Sequence, residues 1–285
     1  MRTTPYLLRL VCLLLASASL AAERDNAKYT PEADAAAKQF AQQIKAEVES
    51  LGNHPWAGEY YHGDGLGVNV TFMLAPQSGF LFEWHGCLGL YDRNYGEIAC
   101  TNGMVTLSFT FSNERRGFQG IADAFIPVPW GDRMYLIPSD DIIGFCNDFN
   151  ARSEPRNLVR GSHLLRRGDE KKNIEGFPAV PEQYRPYLLE KPIEAAVTAV
   201  GSYTTRPSVC EWKFKDTSVT LDKGKEAGLL PGMELYVVEP NNLVESIRVT
   251  HVEDHSAQGV MTEIGEDKPG PNAGWKLSTR PRWRK

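Results

Sequence analysis

Ionisable and aromatic side chains concentrate in a glycine-rich stretch at residues 60–67, Tyr-Tyr-His-Gly-Asp-Gly-Leu-Gly. A carboxylate and an imidazole follow at Glu83 and His85, where alternation along a strand places them on one face with Trp84 opposite. Such groups can hold a small ligand at the mouth of a β-barrel, through a mobile lip of the kind that loops provide. The predicted ligand-binding residues are Tyr60, Tyr61, His62, Asp64, Trp84 and His85.

An alternative is a periplasmic hydrolase with its site near this loop. General acid–base catalysis would then require four side chains to converge in one pocket: His62, Asp64, Glu83 and His85. No catalytic residue is assigned, because the chain contains no Gly-x-Ser-x-Gly, His-Glu-x-x-His or Ser-x-x-Lys motif. A phosphate-binding loop is excluded because residues 60–67 lack the Gly-Lys-Ser/Thr ending and a following helix.

A third interpretation is an inhibitor or interaction module that exposes aromatic rings. Tyr60, Tyr61 and Trp130 would form its contact surface. The plain alternative for residues 60–67 is a flexible hairpin loop, and for Glu83 and His85 it is a pair on the exterior of the barrel, which we favour.

The segment His251-Val-Glu-Asp-His255 is the candidate metal site. On a strand that ends in a turn, His251 and Glu253 share a face, and His255 can join them. A solvent-facing strand followed by a polar turn has the same composition, and we favour that interpretation. We therefore expect no metal and no cofactor.

The first 21 residues have the pattern of a cleavable secretory signal. Arg2 and Arg9 flank and interrupt an apolar run that ends at Leu15, and small residues lead to a cleavage point near Ala21. The apolar run is too short to span about 30 Å of hydrocarbon. We expect a periplasmic or secreted protein, with no transmembrane segment in the mature chain.

Net charge argues against one class of partner. The 285 residues carry a formal charge of −5, which becomes −7 when Arg2 and Arg9 are removed with the signal. Nucleic acid demands basic surface, so we exclude it as a partner. The basic end at residues 281–285 is interpreted as a short solvated tail.

Four cysteines remain after cleavage, an even number that suggests disulfides in an oxidising compartment. The polar run at residues 92–95 predicts a hairpin that turns between Arg93 and Asn94 and places Cys87 opposite Cys100. Opposed strand residues lie about 4.5–5.5 Å apart, which suits a disulfide. The remaining pair, Cys146 with Cys210, follows only by elimination.

Hydrophobic periodicity predicts an amphipathic helix at residues 31–52, followed by an antiparallel β domain at residues 55–167. In the helix Phe40, Ile44, Val48 and Leu51 recur at spacings of four and three, with Thr30 as the N-cap. The β domain has about eight short strands joined by local turns, which commonly close into an up-and-down barrel or a sandwich. The dipeptide Asn102-Gly103 is a strong hairpin signal.

The β domain resembles lipocalin-like small barrels of bacterial envelope proteins. The resemblance rests on Trp-Ala-Gly-Glu-Tyr at residues 56–60 and on the spacing of the turns that follow. It implies a barrel that binds a small molecule or a partner protein.

A linker rich in proline and charge is predicted at residues 168–192, followed by a second small β-barrel at residues 193–280. The motif Gly224-x-x-x-Gly228-Leu-x-Pro-Gly-Met233 predicts a left-handed residue at Gly228, a core plug at Leu229 and a tight turn. This region resembles the C-terminal domain of the flagellar assembly protein T, which implies an assembly role. A PDZ-like peptide-binding module is the alternative, although Met233 stands where that pattern has Asp.

The sequence as a whole predicts a mainly β protein with an N-terminal helix, a meander or barrel-like domain and a second small barrel. The favoured function is that of an exported, non-enzymatic envelope protein with a binding or scaffold role. Its expected partner is an envelope protein or a small-molecule ligand.

Overall fold

A computed structural model describes residues 26–63, 68–117, 119–153, 163–207, 212–240, 245–265 and 267–282. The predicted signal at residues 1–21, Asp64 and Cys210 lie outside the described residues. Within these ranges, no helix combines the length and the apolar character needed to cross a bilayer. The chain divides into two compact units, one of described residues 26–145 and 163–182, the other of 146–153 and 183–282. The later division, after Glu182, falls within the segment predicted as a linker.

The first helix, α1 (Pro31–Leu51), forms where the periodicity predicts it. The Thr30 hydroxyl accepts a hydrogen bond from the Ala33 amide at 3.2 Å, and Gly52 ends the helix at a φ of 62°. Ile44 is fully buried and packs in a cluster with Met73 and Leu81. The helix therefore covers the outer face of two barrel strands.

Eight antiparallel strands of the first unit close into a barrel in sequence order, which confirms the predicted class. The strands are β1 (Gly58–Gly63), β2 (Val68–Ala75), β3 (Gly79–Gly86), β4 (Gly89–Thr101), β5 (Met104–Phe109), β6 (Ala124–Trp130), β7 (Arg133–Pro138) and β8 (Leu164–Arg166). A second helix, α2 (Ile142–Asn150), follows β7.

The interior of this barrel is packed with side chains from alternate strand positions. Opposed residues share a face, and β1, β2 and β3 contribute the row Tyr60, Phe72 and Phe82, each at most 1% exposed. Phe80, Phe125 and Leu136 belong to the same cluster and are equally buried. The middle of the barrel is therefore a solid core.

The turn predicted at residues 92–95 is wrong, because β4 runs without interruption from Gly89 to Thr101. Its polar middle residues are buried and find partners distant in sequence. Asn94 bonds both backbone groups of Phe111, donating from Nδ2 to the carbonyl at 2.9 Å and accepting from the amide at 3.1 Å. Partners of this kind remove the cost of burying polar groups, so the strand does not need to turn.

The Cys87–Cys100 disulfide is wrong for the same reason. The hairpins on either side of β4 turn at residues 87–88 and 102–103, so Cys87 precedes the 13-residue strand and Cys100 lies near its other end. At about 3.3 Å per residue, such a strand spans roughly 40 Å. Cys87, Cys100 and Cys146 form no disulfide in the structure. The predicted partner of Cys146, Cys210, lies outside the described residues.

The hairpin predicted at Asn102-Gly103 is confirmed. Both residues have positive φ, 53° and 76°, as a two-residue turn matched to strand twist requires. The turn joins β4 to β5 with Thr101 opposite Met104.

The second unit contains a closed barrel of six strands. They are β9 (Glu194–Pro207), β10 (Lys213–Leu221), β11 (Glu234–Glu239), β12 (Ser246–Val252), β13 (Ala257–Ile264) and β14 (Lys276–Ser278), in the spatial order β10-β13-β12-β11-β14-β9. The motif before β11 folds as predicted. Gly228 is left-handed at φ 89°, and Leu229 and Met233 are fully buried in the core.

The second half of α2 belongs to this second unit, although the sequence placed it in the first domain. The Asn147 amide donates to the Gly232 carbonyl at 2.9 Å and accepts from the Glu234 amide at 3.2 Å. Asn150, one turn later, donates to the Tyr187 carbonyl and accepts from the Leu189 amide. Each asparagine thereby satisfies two backbone groups of the unit.

Replacing Asn94 tests the account of β4. Asn94→Ala leaves both backbone groups of Phe111 without their side-chain partner, so we expect a loss of about 2–3 kcal/mol in the free energy of unfolding. Urea denaturation measures it. Glu97→Ala, at an exposed position of the same strand, serves as the control and should change stability by less than about 0.5 kcal/mol. Equal losses in the two variants would contradict the account.

Thiol labelling tests the reduced cysteines. Burial raises the pKa of the Cys146 thiol to about 12, whereas Cys87 and Cys100 are exposed. Iodoacetamide at pH 8 should therefore label Cys87 and Cys100 in the folded chain, and Cys146 only after denaturation. Peptide mass spectrometry reads the sites, and a linked Cys87–Cys100 peptide would refute the expectation.

Candidate functional site

The structure separates the residues predicted to bind a ligand. Tyr60 lies in the core with no exposed surface, and its hydroxyl donates to the Trp56 carbonyl at 2.9 Å. Burial raises the pKa of this phenol far above its usual value. Tyr60 is thus a structural residue of the barrel interior.

His62 and Trp84 do face the interior, at one end of the barrel. Strand register aligns His62, Val70, Trp84 and Asp92 in one row across β1 to β4. His62 is 4% exposed, and Trp84 is partly buried. This row is the part of the predicted site that the fold brings together.

Tyr61, Glu83 and His85 lie on the outer face of the same strands. The Tyr61 hydroxyl donates to the Asn69 side chain, and Glu83 accepts from Arg93 Nε at 2.9 Å. His85 is exposed. Because His62 faces inward while Glu83 and His85 face outward, these three do not converge as the hydrolase requires.

The prediction of an exposed aromatic surface is also wrong for two of its three residues. Tyr60 is fully buried, and Trp130 is 7% exposed with its indole N–H donating to the Gly176 carbonyl at 3.0 Å. Only Tyr61 keeps partial exposure, with the Arg167 guanidinium 5.2 Å from its ring centre.

The residues of the candidate metal site, His251, Glu253 and His255, are all exposed on the surface. The Glu253 carboxylate accepts from the Ser256 hydroxyl at 2.9 Å, and His255 Nδ1 lies 3.2 Å from the Glu226 carboxylate. Among the residues that the structure describes, no group of three His, Cys, Asp or Glu side chains is placed to hold a metal ion.

A buried ion pair closes the barrel at the end that holds His62. Lys28 Nζ lies 3.0 Å from Asp92 Oδ1, and the two side chains are 7% and 1% exposed. The second carboxylate oxygen of Asp92 accepts from the Gly120 amide at 2.6 Å. Next to the lysine, the Tyr29 hydroxyl donates to the Tyr91 carbonyl at 2.7 Å. The segment before α1 is thereby fixed to β4.

The opposite end of the barrel carries an open cleft of about 680 Å³. Its cationic side chains come from three places: Arg133 at the start of β7, Arg166 at the end of β8, and Lys172. His54 and Asp132 also line it. His54 Nδ1 accepts from the Ala57 amide at 2.9 Å, which fixes the orientation of the imidazole.

Asp169, a buried carboxylate at the edge of the cleft, holds these cations in place. It is 2% exposed and accepts from the Met134 amide at 2.9 Å, while Lys172 Nζ lies 2.7 Å from its other oxygen. Arg166 donates from Nε to the same carboxylate at 3.2 Å and from its terminal nitrogen to the His54 carbonyl at 3.2 Å. The cations are therefore positioned before any ligand arrives.

Arg133 is held from the other side of the cleft. Its guanidinium donates to the carbonyls of Lys172 and Glu170, each at 2.8 Å. Three cations then face two carboxylates, those of Asp132 and Asp169, which leaves an excess of one positive charge. This excess stands out in a chain of formal charge −5 and favours an anion.

No family model, curated protein or solved structure matches the chain. The site is therefore interpreted from its own chemistry.

The cleft was not predicted, because its residues are scattered and its key carboxylate lies in the segment taken for a linker. The charged run Arg166-Arg-Gly-Asp169 was the one available signal. Such a run is indistinguishable from a solvated loop until the fold shows Asp169 buried.

A double-mutant cycle tests the Lys28–Asp92 pair. Lys28→Met leaves the buried Asp92 carboxylate without its cation. We therefore expect the free energy of unfolding, measured by urea denaturation, to fall by about 3–5 kcal/mol. Adding Asp92→Asn removes that charge and keeps an acceptor for the Gly120 amide, so the double variant should recover most of the loss. Full stability of Lys28→Met alone would show that the pair does not hold the segment.

Proposed function

We propose that the chain is an exported, non-catalytic envelope protein whose first barrel binds a small anionic ligand in the cleft lined by Arg133, Arg166 and Lys172. The observation that carries the proposal is the buried Asp169, which arranges cations around an open cavity. The second barrel would serve as the scaffold module.

The location of the cavity supports binding at the end of the barrel. Phe72, Phe82 and Phe125 fill the middle and leave the ends for a ligand. A volume of about 680 Å³ lies within the roughly 300–1,000 Å³ usual for ligand sites.

Preorganisation supports binding over chance clustering of charge. Holding a flexible cation in place costs conformational entropy. The contacts with Asp169 already hold Arg166 and Lys172 in the folded protein, so ligand binding does not incur that cost. Arg133 and Arg166 are further fixed by backbone carbonyls, so the positions of their guanidinium charges are defined before an anion binds.

Export is proposed from the signal pattern at residues 1–21. Expression in a bacterial host that processes such signals should yield a mature chain that begins near Ala22. Intact mass of the protein recovered from the envelope fraction measures this start directly.

Neighbouring lysines offer a matched test of the cleft. Lys172 lines the cavity, whereas Lys171 is exposed and outside it. Calorimetric titrations with phosphate, sulfate and citrate should find an anion whose affinity falls about tenfold in Lys172→Gln and less than about twofold in Lys171→Gln. Both changes remove one positive charge, so a nonspecific charge effect would weaken binding equally.

Thermal unfolding of both variants checks that the first barrel remains folded. Absence of binding by all three anions at millimolar concentration, or equal losses in the two variants, would refute anion recognition in the cleft.

A further inference from the structure

A two-stranded projection of the second barrel exposes apolar side chains. We call this projection the arm. It consists of residues 200–207, at the end of β9, and residues 212–217, which include the start of β10. Every residue from 198 to 207 is exposed, on both faces of the strand. In β13 of the same barrel, by contrast, buried positions alternate with more exposed ones. The arm therefore projects beyond the core.

Half of the large exposed apolar residues of the described chain lie on the arm or beside it. These four of eight are Val200, Tyr203, Trp212 and Ile264, each between 42% and 60% exposed. Ile264 is directly opposite Phe214 in the register, so the two form a continuous pair on one face. Exposed apolar clusters of this kind mark interaction sites.

Apolar groups occupy both faces of the arm. Phe214 and Ile264 share one face. Tyr203 is paired with Thr217, whose side chain points into the barrel, so Tyr203 lies on the other face. A single flat protein surface can cover only one of these faces. The headgroup layer of a membrane surrounds an inserted hairpin and can accommodate both.

The cations of the arm are combined with its rings. Arg206, whose side chain is 53% exposed, has its guanidinium 4.3 Å from the Phe214 ring centre. Lys215 lies beside the Tyr203 ring but is buried and donates to the Lys268 carbonyl, so it does not reach a headgroup. Asp216 is the one carboxylate among the described residues of the arm. It accepts hydrogen bonds from Arg206 at 2.7 Å and from the Thr262 hydroxyl at 2.6 Å. An aromatic ring with an adjacent exposed Arg is suited to the bilayer interface, where the ring meets the acyl boundary and the cation meets phosphate.

We propose that the arm docks on the surface of an anionic phospholipid bilayer. Its basic and aromatic side chains complement acidic headgroups, whereas the remainder of the acidic chain is repelled by them. The arm would thus hold the protein at a membrane.

Vesicle sedimentation tests this docking with the chain from Ala22 onward, because residues 1–21 would bind lipid themselves. Vesicles of phosphatidylethanolamine and phosphatidylglycerol at 3:1 should retain the protein, and vesicles of phosphatidylcholine should retain much less. Raising salt should weaken retention by screening the charges.

A double variant of the arm and a matched control locate the contact. Tyr203→Ala with Trp212→Ala should lower the partition coefficient about tenfold or more. Leu88→Ala removes a side chain that is 71% exposed in the first unit and should leave it unchanged. Circular dichroism melting confirms that both variants are folded.

Two results would overturn the proposal. One is retention by the anionic vesicles that is absent or unaffected by the double variant. The other is a lipid-free dimer, seen by light scattering, that the double variant abolishes, since the arm would then contact a second copy of the chain.

Discussion

Three consecutive polar residues in the middle of β4 must be paired inside the protein, and the first unit is organised around that constraint. Asp92 is bound by Lys28, Arg93 by Glu83 and Asp34, and Asn94 by the backbone of Phe111. The hydrogen bond from Arg93 lowers the pKa of Asp34. These contacts fix the segment before α1, α1 itself and the segment that follows β5 to one strand, so helix and barrel depend on the same buried polar residues.

Local rules predicted most of the fold, because alternation and turn chemistry act over a few residues. Thr30, Gly52 and Asn102-Gly103 all behave as their types dictate. The polar run of β4 does not follow those rules, because its partners are distant in sequence. Lys28 lies 64 residues from Asp92, and Asp34 lies 59 residues from Arg93. A buried polar strand and an exposed polar turn have the same composition until such partners are known, and the predicted disulfide failed with the turn.

The candidate site was less predictable than the fold. Alternation alone could place His62 and Trp84 inside the barrel, but it could not show that phenylalanines fill the space between the two ends. Asp169 binds the Met134 amide 35 residues away, and that contact turns a charged segment into the support of a cleft. The candidate site depends on which charges are buried, a property set by tertiary packing.

The central claim is that ligand binding belongs to the cleft and not to the packed interior. Amide chemical-shift mapping by NMR during a citrate titration tests it most directly. The account predicts that the largest shifts lie at Met134, Arg166 and Lys172, with little change at Gly63 and Gly120. Shifts centred on Gly63 and Gly120, at the end closed by Lys28, would contradict it.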